Sequence, residues 1–204
     1  MSRVVVIGTS LGGREALREL LGALPADYPL PIAVVQHQDA DAGDSIVTAL
    51  GRVIALPVRE AEDKLPLAPG TVVVAPPGYH LLIEGEPPAQ SAGQHHALGA
   101  GPHCALDAGA PVNHARPSID VLFESAAEAC GAGAVGVLLT GNLYDGAVGL
   151  AAIARRGGAV LVQDPSSAEA PAMPLAGIER VPRAEVHALD ALAARLRNLA
   201  GGVT

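Results

Sequence analysis

The sequence predicts an α/β fold: a doubly wound, mainly parallel sheet flanked by helices, with a small β-hairpin or loop excursion beside it. Three observations predict it. Short runs of β-branched residues without polar alternation recur along the chain, which is the pattern of strands buried on both faces. Segments with apolar residues at helical spacing lie between several of them. The 204 residues are half hydrophobic yet include one Phe, three Tyr and no Trp, so the core must be filled by Ala, Val, Leu and Ile, as suits a parallel sheet under Ala-rich helices.

Val4-Val5-Val6-Ile7, ended by Gly8, is the first such run and belongs at the centre of the sheet. After Gly12-Gly13, Leu17, Leu20, Leu21 and Leu24 recur at helical spacing until Pro25 closes the segment. Pro31-Ile32-Ala33-Val34-Val35 repeats the buried-strand pattern and stops at Gln36-His37, so the chain opens as a β-α-β unit. Thr71-Val72-Val73-Val74-Ala75 is a further strand broken by Pro76-Pro77-Gly78, with Leu81-Leu82-Ile83 as a hairpin partner nearby. From about 85 to 115 the sequence is Gly, Ala, Pro and His without apolar period, and a long surface excursion is expected. Pro117 then opens a helix with Ile119, Leu122, Phe123, Ala126 and Cys130 on one face. Ala134 to Leu139 reads as a strand, Thr140 to Gly146 as a polar turn, Ala147 to Arg156 as a helix and Ala159 to Val162 as a strand. Leu189, Leu192, Leu196 and Leu199 mark a terminal helix. The length suits one domain, 1–204.

Composition excludes several classes. A formal charge of −8 and a pI near 5.3 lack the basic face that nucleic acid requires, and an acidic surface repels anionic lipid. Cys104 and Cys130 are too few for a disulfide framework and form no CxxC pair. No apolar run is long enough for a bilayer, and Met1 to Ile7 has no signal-peptide pattern. The expectation is a cytoplasmic protein without membrane insertion.

Gly8-Thr9-Ser10-Leu11-Gly12 fits G-x-S-x-G in the context that pattern needs, a strand before and a helix after. Such a turn lifts the hydroxyl of Ser10 clear of the sheet, beside a helix N-terminus that favours a developing oxyanion. The plain alternative is that Ser10 caps the helix and Gly12-Gly13 allow close packing. A phosphate-binding turn is a second alternative. Against it, the spacing is G-x-x-x-G-G rather than G-x-G-x-x-G, and the second strand ends in Gln36-His37 rather than a ribose-binding carboxylate, although Asp39 lies two residues on. His37 follows the carboxyl end of one strand and Asp145 stands in the turn after another. Both therefore fall on the sheet edge that carries Ser10, where ligands of open α/β sheets bind. Taken singly, His37 reads as a surface histidine and Asp145 as an N-cap.

The order Ser, His, Asp differs from that of the α/β-hydrolase superfamily. The chain instead resembles the catalytic domain of the chemotaxis protein-glutamate methylesterases, the CheB family. The resemblance runs through Ile7-Gly8-Thr9-Ser10-Leu11-Gly12-Gly13, Gln36-His37, Val74-Ala75-Pro76-Pro77-Gly78-Tyr79-His80 and Arg116-Pro117-Ser118-Ile119-Asp120-Val121-Leu122-Phe123. It continues through Leu139-Thr140-Gly141 with Asp145-Gly146, and Gln163-Asp164 with Met173-Pro174. It implies Ser10 as nucleophile, His37 as general base and acid, and Asp145 as the residue that orients His37. It implies demethylation of glutamate γ-methyl esters on chemoreceptors or related signalling proteins, and in some members deamidation of glutamines, without metal or organic cofactor. The backbone N–H groups of Leu11 and Asn142 are the oxyanion-hole candidates, and His80 and Arg116 are expected on the substrate rim.

Two positions depart from the family pattern. Its usual turn is T-G-M-G-x-D-G, whereas here Asn142-Leu143-Tyr144 separates Thr140-Gly141 from Asp145-Gly146 at the same length. Leu11 stands where the family often has Thr. The first strand begins near residue 3, so no receiver domain is expected ahead of it, and regulation falls to a separate partner or to constitutive low activity.

His95, His96, His103 and Cys104 match no structural zinc spacing and read as a His-bearing loop. The rival to an enzyme is a non-catalytic domain that binds a receptor or signalling helix; a nucleotide-binding domain is a weaker third.

Overall fold

A computed structural model of the chain describes residues 2–37, 45–85 and 101–201. Asp39, His95 and His96 lie outside the described residues. The elements in chain order are β1 (Val4–Thr9), α1 (Gly13–Gly22), β2 (Ile32–Gln36), α2 (Ile46–Gly51), β3 (Val58–Glu60), β4 (Val72–Val74), β5 (His80–Glu84), β6 (His103–Asp107), α3 (Ile119–Cys130), β7 (Ala134–Leu138), α4 (Ala147–Arg155), β8 (Ala159–Gln163), α5 (Ala172–Arg180), β9 (Glu185–His187) and α6 (Leu189–Gly201).

Seven strands form one sheet in the order β3-β4-β2-β1-β7-β8-β9, and every pairing in it is parallel. β1, β2 and β7 are buried at every position, as their unalternating β-branched runs predict. Successive side chains point to opposite faces. Val4 and Val6 therefore enter one core, with Leu122 and Phe123 of α3 and Leu150 of α4, while Val5 and Ile7 enter the other, with Leu17 and Leu20 of α1 and Leu192 of α6. Helices cover both faces, which makes the sheet doubly wound.

From β1 the chain first moves to one side, to β2 and then to the edge strand β3, with β4 filling the place between them, and afterwards returns to the other side of β1 with β7. The direction reverses between β1 and β7. In open α/β sheets a crevice forms at the carboxyl ends of the strands beside such a reversal, and ligands bind there.

The middle of the chain corrects two expectations. Leu81-Leu82-Ile83 does not pair with the Thr71–Ala75 strand; β5 pairs antiparallel with β6 in a separate two-stranded sheet. After the Pro76-Pro77-Gly78 turn β5 lies against α3, burying Leu81 and Ile83, and the Ile83 N–H donates to Ser125 Oγ at 3.0 Å. The excursion expected over about 85 to 115 accordingly contains a strand, β6, and Cys104 within it is fully buried. β6, His-Cys-Ala-Leu-Asp, holds no β-branched residue, so the run that marks the other strands is missing from it. Among the described residues no helix is long and apolar enough to cross a membrane, and no group of His, Cys, Asp and Glu could hold a metal ion.

Candidate active site

β1 ends at Thr9, and the next residues turn the chain into α1. Gly12 is the N-cap of α1 at φ 78°, a left-handed conformation that glycine adopts without cost from a Cβ. The Ser10 N–H donates to Thr140 O at 3.0 Å, and its carbonyl accepts from Gly13 N at 2.9 Å. The turn is also tied to the one that follows β7. The Thr9 hydroxyl donates to Thr140 O, and the Thr140 hydroxyl donates to Leu11 O, each at 2.9 Å. Gly141 approaches Ser10 so closely that a Cβ on it would lie 2.8 Å from the Ser10 Cβ and would also overlap the sulfur of Met173.

β2 delivers His37 beside this turn, its N–H donating to Thr9 O at 3.0 Å. The buried Gln36 side chain fixes the spacing of the two, because its Nε2 donates to Ser10 O and to His37 O, both at 2.7 Å. Among the described residues Gln36 Oε1 has no hydrogen-bond partner. That sacrifice of one buried acceptor, against two donor bonds to the backbones of Ser10 and His37, marks Gln36 as a clamp rather than a filler.

Asp145, in the turn after β7, is buried and meets His37 through its Oδ2, 2.9 Å from His37 Nε2. The other ring nitrogen, Nδ1, is thus the one left for exchanging a proton with a substrate or nucleophile. Five further donors hold the carboxylate. Oδ2 also accepts from Ile119 N at 2.7 Å, and Oδ1 accepts from Asn113 Nδ2 at 2.8 Å, Ser118 Oγ at 2.9 Å, Gly146 N at 3.1 Å and Asp120 N at 3.2 Å. Ser118, Ile119 and Asp120 form the N-cap and first turn of α3, so the charge also lies at a helix N-terminus. Burial by itself would raise the Asp145 carboxyl; the hydrogen bonds from His37, Asn113 and Ile119 outweigh it and hold the group below the ordinary carboxylate range.

Ser10, His37 and Asp145 line one cleft of about 740 Å³ at the reversal point of the sheet, together with Leu11, Asn113, Asn142 and Arg116. The oxyanion candidates Leu11 and Asn142 therefore border the cleft. Arg116 does too, with its guanidinium bracing the loop through Ala108 O at 2.9 Å and Gly109 O at 2.7 Å. His80 does not stand on the rim, which corrects that expectation: it is 2 % exposed. Its Nδ1 accepts from Ser118 N at 3.1 Å and its Nε2 donates to Ala110 O at 3.0 Å, pinning the loop that leads into α3. His103 and Cys104, expected in a loop, instead lie buried in β6, with His103 Nε2 3.0 Å from Glu84 Oε2.

Leu143 occupies the position of the second glycine in the T-G-M-G-x-D-G pattern, and it has φ 66° and a largely exposed side chain. The turn thus keeps a backbone shape that glycine favours and imposes it on a leucine, at a cost of about 1–2 kcal/mol.

The sequence alone assigns no role to Gln36, Asn113, Asp120 or Thr140, and Ser118, which the resemblance puts in a rim loop, is instead fully buried against Asp145. The one local signal for Asn113 is its place in Val112-Asn113-His114-Ala115, an Asn-containing pair able to make a two-residue hairpin turn. Val112 and Ala115 do pair in both directions, at 3.1 and 2.9 Å, with Asn113 at φ 51° and His114 at φ 64°.

Known proteins share this arrangement of chain. The family model for CheB methylesterase matches residues 5–196. A Leptospira interrogans relative is 40% identical over 175 residues, 86% of this chain and 83% of its own length. The Bordetella bronchiseptica protein-glutamate methylesterase/protein-glutamine glutaminase is 41% identical over 190 residues, 90% of this chain and 51% of that protein, so the chain spans about half of it. The crystal structure of the Thermotoga maritima CheB methylesterase catalytic domain superposes with a TM-score of 0.87 at 30% identity, covering 98% of this chain and 99% of that one. With the cleft, the fold and the family match in agreement, this chain belongs to the CheB methylesterase family.

Proposed function

We propose that this chain is a cytoplasmic serine hydrolase that demethylates glutamate γ-methyl esters, and deamidates glutamines, on chemoreceptors or related signalling proteins, acting as one catalytic domain over 1–204. The observation that carries the reading is the pairing of His37 with a fully hydrogen-bonded Asp145 in the cleft that also holds Ser10. Membership of the family supplies the substrate class.

His37, its Nε2 engaged by Asp145, takes the Ser10 proton through Nδ1 as Ser10 attacks the ester carbonyl. Asp145 holds the ring and stabilises the imidazolium that forms. The backbone N–H groups of Leu11 and Asn142 receive the developing oxyanion. The tetrahedral species collapses by expelling methoxide, which leaves as methanol with the proton from His37. Water, activated by the same imidazole, then hydrolyses the acyl-enzyme and restores Ser10 with release of the glutamate. A glutamine substrate follows the same course with ammonia leaving. No step calls on a metal or an organic cofactor.

Methanol release from a methylated receptor fragment tests the reading, with Ser10→Ala and His37→Ala as comparisons. The expected result is release by the wild type and loss of several orders of magnitude in each variant. Binding of the fragment without release would replace the enzyme by a recognition domain.

A further inference from the structure

The Asp145 carboxylate has a second carboxylate close behind it. Asp120, in the first turn of α3, is 4 % exposed. Its Oδ1 accepts from Gly149 N at 2.7 Å and its Oδ2 from Asn113 Nδ2 at 2.7 Å. That same Asn113 nitrogen donates to Asp145 Oδ1 at 2.8 Å, so its two hydrogens are divided between two buried carboxylates. Asn113 can reach both because it stands at the tip of the two-residue hairpin in a left-handed conformation that Asn tolerates. We propose that Asn113 and Asp120 are positioning residues of the hydrolase, with Asn113 holding Asp145 in line with His37 and Asp120 adding negative charge that favours the imidazolium. The proposal rests on the hydrolase reading given above.

Two carboxylates this deeply buried repel each other, and a donor hydrogen to each is what lets both be accommodated. Burial and the Asp145 charge push the Asp120 carboxyl up to about 6, against the hydrogen bonds from Gly149 and Asn113. The charged groups that act on Asp120 are Asp145 from the turn after β7 and Glu124 from the next turn of α3, and His37 from the end of β2 meets Asp145. Asp120 makes no contact with the cleft, since Asn113 and Asp145 line it and Asp120 does not. Its influence reaches His37 only through Asn113, Asp145 and the field.

The test compares wild type, Asp120→Asn and Asn113→Gly in pH-rate profiles of methanol release, with the His37 titration followed in parallel by NMR and identified by its absence in His37→Gln. Glycine keeps the left-handed tip while removing the amide. Removing the Asp120 charge should lower the His37 midpoint and the acid limb of kcat/KM together by about half a pH unit or more. Asn113→Gly should lower kcat about 10- to 100-fold with KM within about twofold, as loss of a group that orients a reacting one does. A merely structural role would lower stability and leave the midpoint in place. Unchanged midpoints in folded Asp120→Asn, with wild-type kcat in Asn113→Gly, would overturn the proposal. If Asn113→Gly fails to fold, the Asp120→Asn midpoint decides. If the wild type releases no methanol, the methylesterase reading falls alone, and the NMR midpoints still decide for or against the positioning pair.

Discussion

The cleft has two halves held together by different means. On the Ser10 side, neutral groups do the work: backbone bonds from Ser10, Gly13 and His37, the Gln36 amide across Ser10 and His37, and the Thr140 hydroxyl on Leu11. On the Asp145 side, a buried charge gathers six donors from four stretches of chain, and a second carboxylate lies behind it. The two halves therefore differ in their sensitivity to substitution. A neutral clamp loses a bond or two when one member is removed, whereas a buried charge stripped of partners, or partners stripped of a charge, costs several times more. The Ser10 half sets geometry and the Asp145 half sets charge.

The largest effect that would sharpen this contrast is expected at Asp145. Asp145→Asn keeps the shape but turns one of the two acceptor oxygens into a donor, against His37 and Ile119 N on one side or Asn113, Ser118, Asp120 N and Gly146 N on the other, and should lower methanol release about 10⁴-fold. Asp145→Ala should in addition destabilise the fold by about 3 kcal/mol or more, read by urea denaturation. On the other half, Gln36→Met removes the clamp while keeping volume, and should lower kcat about 10- to 100-fold through misplacement of Ser10 against His37. Comparable losses at the two positions, measured with the same substrate, would break the contrast.

Smaller effects follow. Gly141→Ala puts a methyl against Ser10 and Met173 and should cost about 1–3 kcal/mol in stability. Met173→Ala in the same chain should recover part of that stability and little activity, because the clash with Ser10 persists. The two carboxylates should also give opposite pH slopes. Asp120 is raised from 3.8 to about 6 in the fold, so the native state binds its proton more tightly, and this group's contribution falls as pH rises through that window. Asp145 is lowered, so its contribution is present above the ordinary carboxylate pKa and lost as pH falls through its depressed folded value. Asp120→Asn should remove the first slope, worth about 2–3 kcal/mol of unfolding free energy between pH 4 and 7, and leave the second. Smallest, Leu143→Gly should stabilise by about 0.5–1 kcal/mol in thermal unfolding by relieving the left-handed leucine.

A similar division separates what is legible in the sequence from what is not. The strand, glycine turn and helix around Ser10 are contiguous, and so are β2 with His37 and β7 with the turn to Asp145; local pattern is enough to put all three on one sheet edge. β5 and β6 are short and pair across a long sequence gap, with β5 resting on α3, so no local period marks β6 and the neighbouring Thr71–Ala75 strand is a misleading partner for β5. His80 is expected at the rim because it follows a turn that the family motif shares. Its imidazole is buried because Ser118 N and Ala110 O need partners where the loop closes on α3.

By itself, the sequence marked the parallel sheet, through runs of Val, Ile and Ala of the kind a doubly covered strand tolerates, and the turn at Ser10, through a serine between glycines at a strand-to-helix reversal. Only the tertiary structure decided that Gln36 ties Ser10 to His37, and that Asn113 stands between Asp120 and Asp145. The physical reason is that a strand or a turn is written in neighbouring residues, whereas hydrogen bonds across 26, 32 or 108 positions exist only after the sheet has brought their segments to one edge.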